Sequence, residues 1–129
     1  MQVQFEISAI FDATPKQIYD AWLDSEKHSA MTGGEAMVSA VEGETFEAWD
    51  GYIQGRNIRL EENKKIVQHW RTREFTDSEE DSLLEVILFP KSGGTFLTIR
   101  HSRLPAHGMQ YKQGWVDSYL NPMVKYFRK

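Results

Sequence analysis

The C-terminal end of the chain carries large apolar side chains at a helical spacing, and this stripe constrains the fold most. Tyr111, Trp115, Tyr119, Met123 and Phe127 recur every four residues, and polar or charged residues take the opposite side. This spacing predicts an amphipathic helix of about five turns. Because an apolar face of that width must be buried, the rest of the chain has to supply a surface that covers it.

Pro122 interrupts the helical pattern without ending it. A proline removes one backbone hydrogen bond and clashes with the preceding turn, at a cost of about 3 kcal/mol in a regular helix. The aromatic stripe nevertheless continues past Pro122 with the same period. The sequence therefore predicts one helix with a kink at the proline.

The residues before this helix alternate between apolar and polar side chains, as half-buried β-strands do. Short stretches of turn-forming residues separate the strands, which favours antiparallel pairing between neighbours. Seven strands are predicted, at residues 3–11, 35–40, 44–50, 52–60, 65–75, 82–89 and 95–102.

Two short helices are predicted after the first strand. Thr14 is the expected N-cap of the first, with Pro15 in its first turn and Gln17 completing a capping box. The second helix is predicted over residues 24–31 and ends at Gly33. The fold class is therefore α+β, with a curved seven-stranded antiparallel sheet wrapped around the long C-terminal helix, in a single domain over residues 1–129.

Two glycines in "WDGYIQGRNIRLEENKKIVQHWR" indicate how the sheet bends. Asp50-Gly51 suits a tight turn, and Gly55 inside a strand predicts a β-bulge that curves the sheet.

The composition excludes several classes of protein. The chain has no cysteine, so it has neither disulfides nor thiolate metal sites, as expected for a cytoplasmic protein. With a net charge of -4 and scattered Lys and Arg, it lacks the basic stripe that nucleic acid requires. No apolar run approaches the length of a membrane span, and the N-terminus does not resemble a secretory signal.

Strand alternation and the helical stripe together predict one set of inward side chains. These residues are candidate ligand contacts, but large aromatics at such spacings are more often ordinary core. A ligand carbonyl or hydroxyl would bond Gln68 and His101, unless protein groups or water already do so. The candidate ligand-binding residues are Trp22, Ile66, Gln68, Trp70, Leu84, Val86, Leu97, Ile99, His101, Trp115, Tyr119 and Met123.

Catalytic and metal sites receive little support from the sequence. The four histidines form no HxxxH pair, and the chain has no HExxH, GxSxG or GxGxxG pattern, so no catalytic residue, metal site or cofactor is predicted. The one acid–base arrangement open to the fold is His101 with Asp117 or Tyr119. The acidic stretch "TDSEED" is expected to be a solvated hairpin tip or a docking site for a basic surface.

Four segments, "DGYIQGRNI", "KKIVQHWR", "GTFLTIRHSRLP" and "GWVDSYL", together with the order of elements, resemble a known family. The chain resembles the START-like (SRPBCC, helix-grip) superfamily, and within it the C-terminal domain of activators of the 90-kDa heat-shock chaperone ATPase (AHSA-type). The resemblance implies a sheet gripping the last helix, often with an apolar cavity between them. It also implies either binding of lipids, sterols, hormones or polyketides, or a co-chaperone role in the stress response.

Two functional hypotheses follow, with an enzyme as a third. The first is a non-enzymatic protein that holds a small hydrophobic ligand, a lipid or aromatic metabolite, between the sheet and the C-terminal helix. The alternative is a co-chaperone-like module that contacts a chaperone through the acidic loop or an outer-sheet patch. The 129 residues contain no counterpart of the activators' separate N-terminal domain, so ATPase stimulation is not expected.

Overall fold

A six-stranded antiparallel sheet forms the body of the computed structural model, which describes residues 1–128. The order across the sheet is β1-β6-β5-β4-β3-β2, so β2 to β6 form a meander and β1 returns beside β6. This confirms the predicted antiparallel meander and leaves β1 and β2 at the edges. The strands are β1 (Val3–Phe11), β2 (Thr45–Ala48), β3 (Ile53–Glu61), β4 (Lys65–Thr72), β5 (Ser82–Lys91) and β6 (Gly94–Leu104).

Two short helices follow β1, as predicted. In α1 (Pro15–Trp22), Gln17 N donates to the Thr14 hydroxyl at 3.2 Å and Thr14 N donates to Gln17 Oε1 at 2.8 Å, which completes the capping box. In α2 (Ser25–Thr32), the C-cap Gly33 adopts a φ of 89°, a left-handed conformation that glycine accepts at low cost.

The predicted seventh strand, at residues 35–40, is wrong. Only Met37 pairs with the sheet, through two 2.9 Å backbone hydrogen bonds with Glu47 on β2. On the other side, the amides of Ala36 and Val38 donate to the hydroxyls of Ser29 and Ser25, at 2.8 and 2.9 Å. Serine hydroxyls of α2 thus accept the hydrogen bonds of these backbone amides. The neighbouring strand β2 has four residues and is too short to extend the ladder.

The C-terminal helix consists of three continuous segments. α3 (Gln110–Trp115) leads into a π-helical segment (Val116–Leu120), and α4 (Asn121–Tyr126) follows. In the π segment, Asn121 N donates to Val116 O, five residues earlier. A proline at 122 cannot donate to Ser118 O, and a widened turn relieves the clash of its ring with that carbonyl. Where the sequence predicts a kink at Pro122, the structure has a π-helical turn just before the proline.

The apolar stripe of the C-terminal helix lies in the hollow of the sheet. The ring centroid of Trp115 is 5.8 Å from that of Trp70 on β4 and 6.2 Å from that of Trp22 on α1. Met123 is completely buried. Full burial of an apolar side chain contributes about 1.5–3 kcal/mol, so packing rather than helix propensity holds this segment in place.

Gly55 does not form the predicted bulge. The register shift of the β3–β4 pair falls between Asn57 and Arg59, and Gly55 pairs regularly with Trp70. A Cβ at Gly55 would stand 1.9 Å from the His69 carbonyl oxygen and 2.6 Å from the Phe46 ring. Close approach of neighbouring atoms, rather than a bend in the strand, therefore requires glycine here.

The substitution Gly55→Ala is expected to lower the free energy of unfolding by about 2 kcal/mol or more, because the His69 backbone and the Phe46 ring must both move. Urea denaturation measures the change. Gly114→Ala is the matched control, since a Cβ there meets nothing within 4 Å. In a helix this change should raise stability by up to about 1 kcal/mol. Equal stability of the Gly55→Ala variant and the unmodified chain would contradict this account.

Candidate functional site

A partly open cavity of about 270 Å³ lies between the C-terminal helix and the end of the sheet near the β2–β3 turn. Six of the nine side chains around it are aromatic, and none is charged. Its lining residues are Trp49, Tyr52, Ile53, Trp70, Tyr111, Gly114, Trp115, Ser118 and Tyr119.

The structure separates the predicted site residues into two groups. Trp70, Trp115 and Tyr119 line the cavity. The other nine do not border it, and each is at most 2% exposed in the surrounding core. This second group consists of Trp22, Ile66, Gln68, Leu84, Val86, Leu97, Ile99, His101 and Met123.

Sequence reasoning missed six of the lining residues, although a signal existed for part of them. Tyr111, Gly114, Trp115 and Ser118 follow an i, i+3, i+4, i+7 spacing and share one helix face. Extending the stripe by this rule would have found Gly114 and Ser118. Trp49 and Tyr52 lie at the β2–β3 turn, where strand alternation no longer predicts orientation.

A buried chain of hydrogen bonds fixes the position of Trp115. Its Nε1–H donates to His101 Nδ1 at 3.0 Å. Because Nδ1 accepts, the neutral imidazole carries its hydrogen on Nε2 and donates to the Ser82 hydroxyl at 2.8 Å. Ser82 in turn donates to the carbonyl oxygen of Trp70 at 2.7 Å. Burial lowers the pKa of His101 to about 3, so the imidazole stays neutral.

His28 holds Tyr119 in a similar way. Its Nδ1–H donates to the Trp22 carbonyl oxygen at 2.7 Å, which leaves Nε2 to accept from the Tyr119 hydroxyl at 2.7 Å. Burial lowers the pKa of His28 and raises the pKa of Tyr119, so both groups are neutral near pH 7. Trp115 and Tyr119 are thus each oriented by one buried histidine.

Protein groups also bond the other tyrosines of the cavity wall. The hydroxyl of Tyr111 bonds Thr72 Oγ1 at 2.6 Å, and the hydroxyl of Tyr52 donates to Glu74. Burial raises the pKa of both phenols. Since the polar ends of these rings are already paired, the wall offers mainly carbon to a ligand.

Energetically costly features cluster around this cavity. Trp49 has a φ angle of 49°, which bulky side chains rarely adopt. Gly114 occupies a helix interior, and the π segment that contains Ser118 interrupts regular bonding. Within residues 1–128, the indole Nε1 of Trp49 is buried without a partner. Strain of this kind often marks a functional site.

Gln68 and Asp117 lie away from the cavity. Gln68 is 1% exposed, and its amide donates to Asn57 Oδ1 at 2.9 Å. Asp117 is exposed and accepts from Gln113 at 2.9 Å, so it does not pair with His101. His101 itself lies on β6, with both ring nitrogens bonded inside the protein. Over residues 1–128 there is no metal-type cluster of acidic and histidine side chains, and no helix long and apolar enough to cross a membrane.

The sheet wrapped around the C-terminal helix, with a cavity between them, has the START-like helix-grip fold. The family model described as "Activator of Hsp90 ATPase homolog 1-like protein" matches residues 12–128. The chain belongs to this family.

Individual relatives agree with the family assignment. The chain is 28% identical over 103 residues to "Activator of 90 kDa heat shock protein ATPase homolog 2" of Mus musculus, covering 80% of this chain and 31% of the relative. It is 32% identical over 114 residues to "Activator of 90 kDa heat shock protein ATPase homolog" of Dictyostelium discoideum, covering 86% of this chain and 29% of the relative. The chain thus spans about a third of the length of these curated relatives.

The fold is also that of a solved HSP90 activator from Plasmodium falciparum. That structure superposes with a TM-score of 0.82 at 24% identity, covering 92% of this chain and 91% of the other.

Acid is expected to destabilise the protein through the two buried histidines. The pKa of His101 falls from an ordinary 6.5 to about 3 in the folded state, so below pH 6.5 the unfolded chain takes up a proton that the native state does not. Between pH 6.5 and 4.5 this lowers the free energy of unfolding by about 2 kcal/mol, and His28 acts in the same direction.

Urea denaturation at several pH values measures this dependence. His101→Gln, which cannot take up the proton, should show a shallower loss over the same range. An equally steep loss in this variant would rule out His101 as a source of the acid sensitivity.

Proposed function

We propose that this domain binds a small, mainly apolar molecule in the cavity between the sheet and the C-terminal helix. The observation that carries the proposal is the 270 Å³ space lined by six aromatic side chains, most of whose polar ends are bonded to the protein. Such a wall favours ligands that gain from leaving water and that demand few hydrogen bonds. The volume suits a ligand of a few fused rings or a short acyl chain.

Gly114 supports a binding role for this cavity. An alanine would fit sterically at this position and would suit a helix better. Glycine keeps the space beside Trp115 and Tyr111 open at a cost in stability. Side chains chosen only for stability would fill such a space.

Filling the cavity should abolish binding without unfolding the protein. A thermal-shift screen of neutral aromatic compounds and lipids should raise the Tm of the unmodified chain by several degrees near saturation, and Gly114→Leu should remove this shift. Gln113→Leu, which places the same leucine side chain at an exposed neighbour on the same helix, is the control and should retain it. Equal ligand shifts in all three proteins would exclude this cavity as the site.

We propose, as a second function, that the domain contacts a 90-kDa heat-shock chaperone through the outer face of its sheet. Family membership supports the partner, because the relatives' names are those of activators of this chaperone. The surface is suggested by Ile10, Phe89 and Phe96, which are 58, 65 and 37% exposed. Phe96 on β6 pairs with Ile10 on β1 and with Phe89 on β5, so the three side chains are neighbours. Adjacent exposed apolar side chains of this kind often form protein contacts.

The acidic loop is a weaker candidate surface for this contact. Arg71 bonds the carboxylate of Asp81 at 2.8 Å and the backbone oxygen of Glu79 at 3.1 Å. His107 bonds the Glu79 carboxylate at 3.0 Å. Part of the loop's charge is therefore paired within the chain.

Phe89→Glu should weaken binding to the purified chaperone about 10-fold or more, because exposed aromatics at the centre of an interface contribute strongly. Biolayer interferometry with the immobilised chaperone measures the affinity. Val41→Glu, at a residue that is 56% exposed outside the sheet, introduces the same charge as a control. The outer-face contact is excluded if the two variants bind equally well.

A further inference from the structure

We propose that the hydroxyl of Ser118 is the polar anchor of the cavity and selects a neutral aromatic ligand with one hydroxyl or carbonyl group. This inference rests on the proposed ligand-binding function and adds the chemical class of the ligand. It follows from the polar groups around the cavity, taken one after another.

The polar ends of four of the six aromatic side chains already bond protein groups, and the indole N–H of Trp70 can donate but cannot accept. Trp115 donates to His101, Tyr119 to His28, and the hydroxyl of Tyr111 bonds Thr72, all at 3.0 Å or less. Tyr52 donates to Glu74. A ligand that took the polar group of Trp115, Tyr119 or Tyr111 would leave a buried partner unpaired, which cancels the gain.

Trp49 is also a poor anchor, although its indole N–H has no partner. Less than 1 Å² of this Nε1 atom is accessible, so a ligand in the existing cavity does not reach it. The Trp49 ring lies against Gly34, where an added Cβ would stand 2.4 Å from it. The packing against Gly34 holds the ring in this orientation.

Ser118 borders the cavity and is half-buried. It takes part in none of the side-chain hydrogen bonds found among residues 1–128. A helical serine can bond the carbonyl four residues earlier, as Ser29 does with Ser25 O at 2.8 Å. No such bond ties Ser118 to Gly114, so its hydroxyl remains available to donate and to accept.

The position of Ser118 suits the role of an anchor. It lies three and four residues after Trp115 and Gly114, so its side chain follows the open space beside the glycine on the same helix face. It belongs to the π-helical segment, and segments of this type often occur at functional sites.

Charge decides the class of the ligand. None of the nine lining residues carries a charge, so a carboxylate or an ammonium group would lose its hydration without gaining a partner. The Ser118 hydroxyl, which can both donate and accept, can satisfy one hydroxyl or carbonyl of the ligand. Fatty-acid anions and multiply hydroxylated molecules are therefore disfavoured.

Three naphthalene probes that differ in one group test the proposal at pH 7, by isothermal titration calorimetry. The unmodified protein should bind 2-naphthol about 3- to 10-fold more tightly than the similarly shaped 2-methylnaphthalene, and should bind 2-naphthoate most weakly. Ser118→Ala should remove the preference for 2-naphthol while leaving the affinity for 2-methylnaphthalene unchanged. Ser8→Ala, on the exposed face of β1, is the matched control and should keep the preference.

The possible outcomes separate this inference from the proposal on which it rests. If the unmodified protein and Ser118→Ala bind both neutral probes with equal affinity, the cavity binds ligands but Ser118 does not select them. If 2-naphthoate binds most tightly, the neutral class is wrong. If no probe binds the unmodified protein, both the anchor and the proposed binding of small aromatic molecules fail. Loss of preference in Ser8→Ala would also overturn the assignment to Ser118.

Discussion

The attachment of Trp115 to the inner face of the sheet is the interaction on which the rest of the structure depends. Its ring lies close to Trp70 and Trp22, and its N–H begins the chain of bonds through His101 and Ser82. Each bond adds only about 0.5–1.5 kcal/mol, but an unpaired buried member would cost about 1–3 kcal/mol. The helix therefore has one favourable register against β4, β5 and β6, and the cavity has fixed walls.

The sequence predicts the fold well where a single element determines its own pattern. The stripe from Tyr111 to Phe127 and the Thr14–Gln17 capping box are local, so spacing alone identifies them. The prediction of a strand at residues 35–40 is wrong because side chains outside this segment bond its backbone amides. Ser25 and Ser29 lie in an earlier helix, and alternation within residues 35–40 does not show that their hydroxyls take the backbone donors.

The candidate site is less predictable, since alternation identifies the inner face of a strand but not the depth of packing above it. Ile66 and Trp70 share a face of β4, yet Ile66 lies in solid core and Trp70 borders empty space. The bond between His28 and Tyr119 joins residues 91 positions apart. No short-range pattern reveals such a contact, and the left-handed backbone of Trp49 is equally hidden from a propensity argument.

The two proposed functions do not compete for the same atoms. Because successive side chains of a strand point to opposite faces, β5 and β6 bury Leu88 and Leu97 inside while Phe89 and Phe96 stand outside. A chaperone on the outer face would meet none of the cavity residues. Any coupling between the two sites would have to pass through the sheet itself, whose closely packed inner side chains separate the outer face from the cavity. The geometry thus leaves room for ligand and partner to be bound at the same time, on opposite faces of one sheet.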